Sequence, residues 1–594
     1  MIRIGVTMRK DNIPELSLPR IDKKLSLQAF WNVVEQRLAA CSAEELRAIV
    51  RALAQATPPT RRRAFLDTLQ PLVVSAALVQ PQAAREALLV DIATLADEIQ
   101  AAMEGADDLD EYDDEDSLGP YAEFVAPLTA LFDRAAVVFN AGNMMLARAA
   151  YHNLFAALCR EDDYGRGVRA EHLQGVDIGA ARARYLRAVY DTEAPAHRPA
   201  VLFDAMLQVR SWLSGPPPML DDVMQIGLQP LPDQEQCCAD WIAFLRTQSG
   251  SDADVWLREA VRMSQGTPGL EDLARTAGVQ HPRVYLDWCT ALEAEDKPHA
   301  VLAAAQEALQ TLPEQLPIRA AVADYLCAAA AHLHDTEALR AGHWEAFVAQ
   351  PTLARLLDVW EATPAGPEQT RRMQQAADHV RGSLAHPPGK MMPDWEDDLE
   401  RPVWPAKAVL AHAYLLASNW DAAHQLAVPE QVLGWSSSHN PQGLVVSCFL
   451  VQMSETLPDK LPPNLMQLWH WELQNSTGFV SWYSEDAGEA SLLTRLQRAY
   501  MEYLPEVPLP SDQQVDILAW CLDVAQRRVD AIVSNQHRGS YDKAALLLAA
   551  CVELLRRLGQ AQEAAALLDE ARQRFARPRA FQIELQAAVR RMVA

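Results

Sequence analysis

Residues 545–578 read ALLLAACVELLRRLGQAQEAAALLDEARQRFARP. Leu547, Cys551, Leu554 and Leu558 fall at steps of three and four, which puts them on one face of a helix. Gly559 and Gln560 then break the run, as a turn requires. Ala564 and Ala571 follow where a second helix must approach the first closely, Phe575 fills its last turn, and Pro578 stops it. Two such helices are too thin to bury their own apolar faces. They demand further helices stacked on either side.

The same layout recurs at Leu131–Leu158 with a turn at Asn140–Asn143, at Tyr285–Pro313, and at Pro405–Ala427 with a turn at Ser418–Asn419. Composition agrees with it: aromatics are only 7% and alanine is abundant, which favours helix. A chain of 594 residues is too long for one core, so it divides into about three to five domains or forms one long repeat array. The expected fold is therefore all-α: an α-α superhelix, or solenoid, of paired antiparallel helices in two or three arrays.

These units resemble the tetratricopeptide repeat. The resemblance rests on Ala147, Ala150 and Phe155 in one copy, Pro298, Ala300 and Pro313 in a second, and Ala564, Ala571, Phe575 and Pro578 in a third. It covers roughly a quarter of the chain. It implies stacked helix pairs that present a long surface to a protein partner.

Composition shifts mark the expected boundaries. Residues 1–105 read as an N-terminal helical domain that begins with one short strand at Ile2–Thr7. Residues 106–119 form an acidic linker, because eight of the ten residues Asp107–Asp116 are acidic and repel one another. No register there supplies both the glycine and the glutamate of an EF-hand loop. Residues 120–384 form a helical-repeat array, 385–404 a Pro/acidic connector, and 405–594 a C-terminal array.

The net charge of -26 and pI near 5.0 repel phosphate backbones, so nucleic acid is not an expected partner. The basic runs Arg61–Arg63, Arg371–Arg372 and Arg590–Arg591 are short and read as solvated helix faces. Nine scattered cysteines without a CxxC spacing suit a reducing cytoplasm. No secretory signal and no membrane span is expected, since every apolar run is soon closed by charge.

One polar stretch stands between two apolar helices: SNQHRGSYDK, Ser534–Lys543. Gly539 is expected to take the left-handed conformation that ends the first helix, with Ser540 capping the second. Asn535, Gln536, His537 and Arg538 exceed what a turn needs. Together with Tyr541, Trp435 and His439 they are the candidate partner-binding residues. The corner and LGWSSSHNPQGLVV (Leu433–Val446) resemble helical segments that accompany SWIM-type zinc fingers in bacterial proteins. The finger's C-x-C and C-x-H pairs are absent, so no zinc or nucleic-acid role is carried over.

HWEAF at His343 and HWELQ at His470 lack the second histidine of a zinc protease helix, and no P-loop, GxGxxG or GxSxG occurs. No catalytic residue, metal site or cofactor is expected. The sequence points to a non-enzymatic scaffold or adaptor that binds, on an acidic surface, a protein or peptide with a basic or amphipathic segment. The alternative is a regulatory component of a bacterial defence or stress-signalling system, switched or cleaved at the 385–404 connector.

Overall fold

The structure, a computed structural model, describes residues 81–104, 121–212, 216–227, 229–386, 404–454, 460–477 and 488–592. The strand expected at Ile2–Thr7 and the acidic segment Asp107–Asp116 lie outside these residues. So does the connector, except for Ala385, His386 and Trp404. The chain divides into two compact units, residues 1–97 and 98–594. In the first, the described helical segment buries Leu88, Ile92 and Leu95, one apolar stripe. Apart from the helix Pro81–Glu104, all the described helices lie in the second.

Among the described residues the regular structure is helical throughout: 23 α-helices, short 3-10 turns and no strand. Successive helices pack on one another, as expected of stacked helix pairs. Val284–Ala294 lies against Pro298–Thr311, Arg319–His332 against Thr336–Ala349, and Tyr541–Arg557 against Ala561–Arg574. Alanines make the close approaches: Ala304, Ala305, Ala308, Ala323 and Ala330 are all at most 1% exposed.

One corner is built repeatedly. Gly142, Asp296, His334, Ser418 and Gly559 each have φ between 54° and 78°. In each case the next amide donates back to the carbonyl five residues earlier, as Asn419 N does to Tyr414 O at 2.9 Å and Gln560 N to Leu555 O at 2.8 Å. The second helix then starts two residues past the left-handed one, at Met144, Pro298, Thr336, Trp420 and Ala561.

The corner at Ser534–Lys543 begins the same way and then departs. Gln536, not Gly539, takes the left-handed conformation, with φ 58°, and His537 N donates to Ile532 O at 3.0 Å. A 3-10 turn, Arg538–Ser540, is inserted before the next helix starts at Tyr541. The Ser540 side chain caps nothing. The sequence reading misplaced the turn because glycine is the commonest left-handed residue, whereas here the two back-bonds of the helix end hold a glutamine in that region. The added turn separates two helix ends that would otherwise meet.

A continuous apolar core runs from Phe347 to Leu554. Helix Pro367–Ala385 packs on Lys407–Leu416, so both sides of the connector share it. A further cluster, from Val529 to Ala588, includes Tyr541, whose ring meets Phe581 edge-on at 6.0 Å.

Candidate functional site

The inserted turn opens a pocket of 230 Å³. One wall is the loop Leu433–Ser436. Another is helix Pro463–Ser476, which supplies Trp471 and Asn475. Helix Ser511–Ser534 supplies Arg528 and Ile532, and the corner itself supplies His537, Ser540 and Lys543.

The loop is braced from within. Asn440 Nδ2 donates to Gln431 O at 2.8 Å and Leu433 O at 2.9 Å. Gln442 Nε2 donates to Ala427 O and Glu430 O, both at 3.1 Å, while its Oε1 accepts from Trp435 Nε1 at 3.3 Å. Trp435 is thus fixed in depth, only 3% exposed.

Two cations face the space, each over an indole. The Arg528 guanidinium lies 3.9 Å from the centre of the Trp435 ring, and Lys543 Nζ lies 5.0 Å from that of Trp471. This stacking favours a charged group held away from water. Arg528 is 7% exposed and donates to Val432 O. Burial pulls its pKa down to about 10, and the Glu472 charge opposes the fall.

Glu472 stands behind them, 4% exposed, and lines a smaller void with Trp435, Arg528 and Lys543. Burial pushes its carboxyl up to about 8, against the pull of Arg528, Asn475 and Lys543. Burial thus favours its neutral form, and neither Arg528 nor Lys543 forms an ion pair with it.

The back wall admits no extra atom. A Cβ on Gly443 would overlap Glu472 Oε2 and lie 2.6 Å from the Trp435 ring. Gly443→Ala is expected to lower stability by about 1–3 kcal/mol, the usual range for overpacking, as read by thermal denaturation. An unchanged melt would mean the wall is slack.

Of the residues proposed from sequence, Trp435 and His537 line the pocket. The rest do not. Asn535 Nδ2 donates to Ala531 O at the helix end, Gln536 makes the turn, Arg538 and His439 are exposed, and Tyr541 is core. Arg528, Lys543, Trp471, Asn475 and Glu472 were missed. Arg528 had a legible signal: it sits four residues from both Val524 and Ile532 on an apolar stripe. Trp471 and Glu472 lie in the HWELQ stretch, whose one histidine speaks only against a zinc motif.

A wider groove of 1000 Å³ lies along helices Met144–Leu158, Ile178–Thr192 and Arg198–Trp212. Its arginine, Arg148, is already held by Glu193 at 2.6 Å, so the groove offers less charge. Among the described residues no group of three or more His, Cys, Asp or Glu is placed to hold a metal, and no helix is long and apolar enough to cross a membrane. No protein-family model matches the chain, and no curated protein matches it.

Proposed function

We propose that this chain is a non-enzymatic helical-repeat adaptor, working in the cytoplasm, whose helix pairs wind into a superhelix and whose corner pocket grips a protein partner. The observation that carries the reading is the pair of cations, Arg528 and Lys543, held over tryptophans in a defined pocket of a chain with charge -26. The acidic surroundings favour a basic or amphipathic segment, and the pocket favours one anionic group within it. The partner's segment carries both.

The thiols support a binding role over catalysis. Cys327 Sγ lies 3.6 Å from His343 Nδ1, a nucleophile–base spacing. Yet burial pushes the Cys327 thiol up to about 12 and pulls His343 down, so neither ion of a reactive pair is favoured. The described cysteines are all free, in keeping with a reducing compartment.

The test is affinity capture with the full chain, comparing the natural protein with Lys543→Glu and with a charge reversal at exposed Arg577. The partner recovered by the natural protein is expected to fall about tenfold or more with Lys543→Glu and to persist with Arg577→Glu, at equal melting temperature. Equal recovery from all three would remove the pocket from the reading.

A further inference from the structure

Five arginines are buried among the described residues: Arg187, Arg198, Arg258, Arg319 and Arg528. Four have a carboxylate. Arg187 pairs with Asp191 at 2.9 Å, Arg198 with Asp233 at 3.7 Å, Arg258 with Asp254 at 2.9 Å, and Arg319 with Glu345 at 2.6 Å. Arg528 has a backbone carbonyl and an indole face instead. The chain has 79 acidic residues to draw on and places none of the described ones in an ion pair with Arg528 or Lys543. A buried arginine without an anion bears a desolvation cost that a ligand's charge would offset.

We propose that the anionic group taken by this pocket is a phosphomonoester dianion, an inference that rests on the adaptor reading above. Charge argues for it first. Two cations fixed over indole rings, neither in an ion pair with a described carboxylate, match a group of charge near -2 rather than -1. Donors argue for it next. The residues that bear a guanidinium, an ammonium and the hydroxyls of Ser436 and Ser540 line one space, while the Asn475 amide is already turned to Glu472. A phosphoryl group offers three strong acceptor oxygens, a carboxylate two.

Volume completes the case. At 230 Å³ the pocket exceeds a bare anion and admits the carbon stem that bears it, with Ile532 and Trp471 as apolar walls. A polyphosphate or nucleic acid would bring its further charges against the acidic exterior. A single phosphoryl group inside a basic segment would not. The same chemistry is found on a phosphorylated side chain of a partner and on a small free phosphomonoester.

The experiment is titration calorimetry on the full chain at pH 7 with four probes. They are a lysine-flanked phosphoserine peptide, its unphosphorylated twin, free phosphoserine, and acetate. The phosphopeptide is expected to bind about tenfold or more tightly than its twin. Lys543→Met should erase that preference, and Ser436→Ala, an exposed hydroxyl with little bearing on folding, should weaken it several-fold. Free phosphoserine binding as well as the peptide would keep the chemistry and assign it to a small molecule. Equal binding of the two peptides, or acetate matching phosphoserine, would overturn the phosphoryl inference. If partner capture still falls with Lys543→Glu in that event, the adaptor reading survives its loss. If capture is also indifferent, both fall together.

Discussion

Replacing Glu553 by alanine is expected to cost about 3–5 kcal/mol. Glu553 is 6% exposed on helix Tyr541–Arg557. Its carboxylate receives the first amides of another helix, Pro463–Ser476: Asn464 N at 3.0 Å and Leu465 N at 2.9 Å, with Asn464 Nδ2 at 2.6 Å. Asn464 is fully buried, donates onward to Ala588 O at 3.1 Å, and accepts from Arg591 Nε at 3.0 Å. One acid thus ties three helices. Alanine would leave two buried amides without acceptors and open a void. Glu553→Gln keeps one oxygen and is expected to cost about half as much. Melting of the full chain reads the total, and hydrogen exchange at the Asn464 and Leu465 amides reads the place. Both amides should exchange much faster in Glu553→Ala; unchanged protection there would refute the cap.

The device appears elsewhere in the same form. Glu259, 4% exposed, receives Leu220 N at 2.9 Å and Asp221 N at 3.0 Å at the start of helix Leu220–Gln225. There Asp222 accepts only from Met219 N, at 3.4 Å, and the next two amides are left to a buried glutamate from across the core. Such a cap leaves no local trace, since nothing near Asn464 names residue 553.

The contrast shows what is legible in a sequence of this kind. Helix pairing was legible because burial imposes the three-four spacing, and close packing imposes alanines such as Ala147 and Ala564. Turn positions at Asn140–Asn143, Ser418–Asn419 and Gly559–Gln560 were legible because polar residues interrupt apolar runs. The residue carrying each turn was not always so. Asp296, His334, Ser418 and Gln536 tolerate a left-handed backbone because two helix-end hydrogen bonds hold them there. The corner at residues 534–543 drew notice through its polar excess, and the pocket does lie beside it. Its strongest charge comes from Arg528 stacked on Trp435, a meeting across 93 positions. Only the folded core fixes such a contact. Arg591, read as part of a solvated basic run, is exposed and also bonds Asn464 across the fold.

Stability should also decline on the alkaline side through Glu472. Its ordinary pKa is 4.5, and burial raises it to about 8 in the folded chain. Between these values the folded protein holds a proton that the unfolded chain has released, so stability falls as pH rises across the window. Below pH 4.5 the carboxyl is neutral in both states and the contribution is whole. Above pH 8 it is ionised in both, and the loss is complete. Arg528 from helix Ser511–Ser534, Lys543 from Tyr541–Arg557 and Asn475 from its own helix all favour the ion, and burial outweighs them. The loss between pH 6 and pH 8 is expected to be on the order of 2 kcal/mol. Glu472→Gln should abolish it, since glutamine has nearly the same shape and no proton to lose. His412 supplies an internal reference on the acid side. It is fully buried between Tyr500 Oη and Ser476 Oγ, each at 2.8 Å, and burial drops its pKa to about 3. Its contribution disappears as pH falls from 6.5 toward 3, equally in both proteins. Denaturation curves from pH 3 to 9 for the natural protein and Glu472→Gln should therefore run parallel below pH 4.5 and diverge steadily to pH 8. Curves parallel across the whole range would give Glu472 its ordinary pKa in the folded chain, ionised at neutral pH, and Arg528 would then be compensated from within rather than awaiting an outside anion.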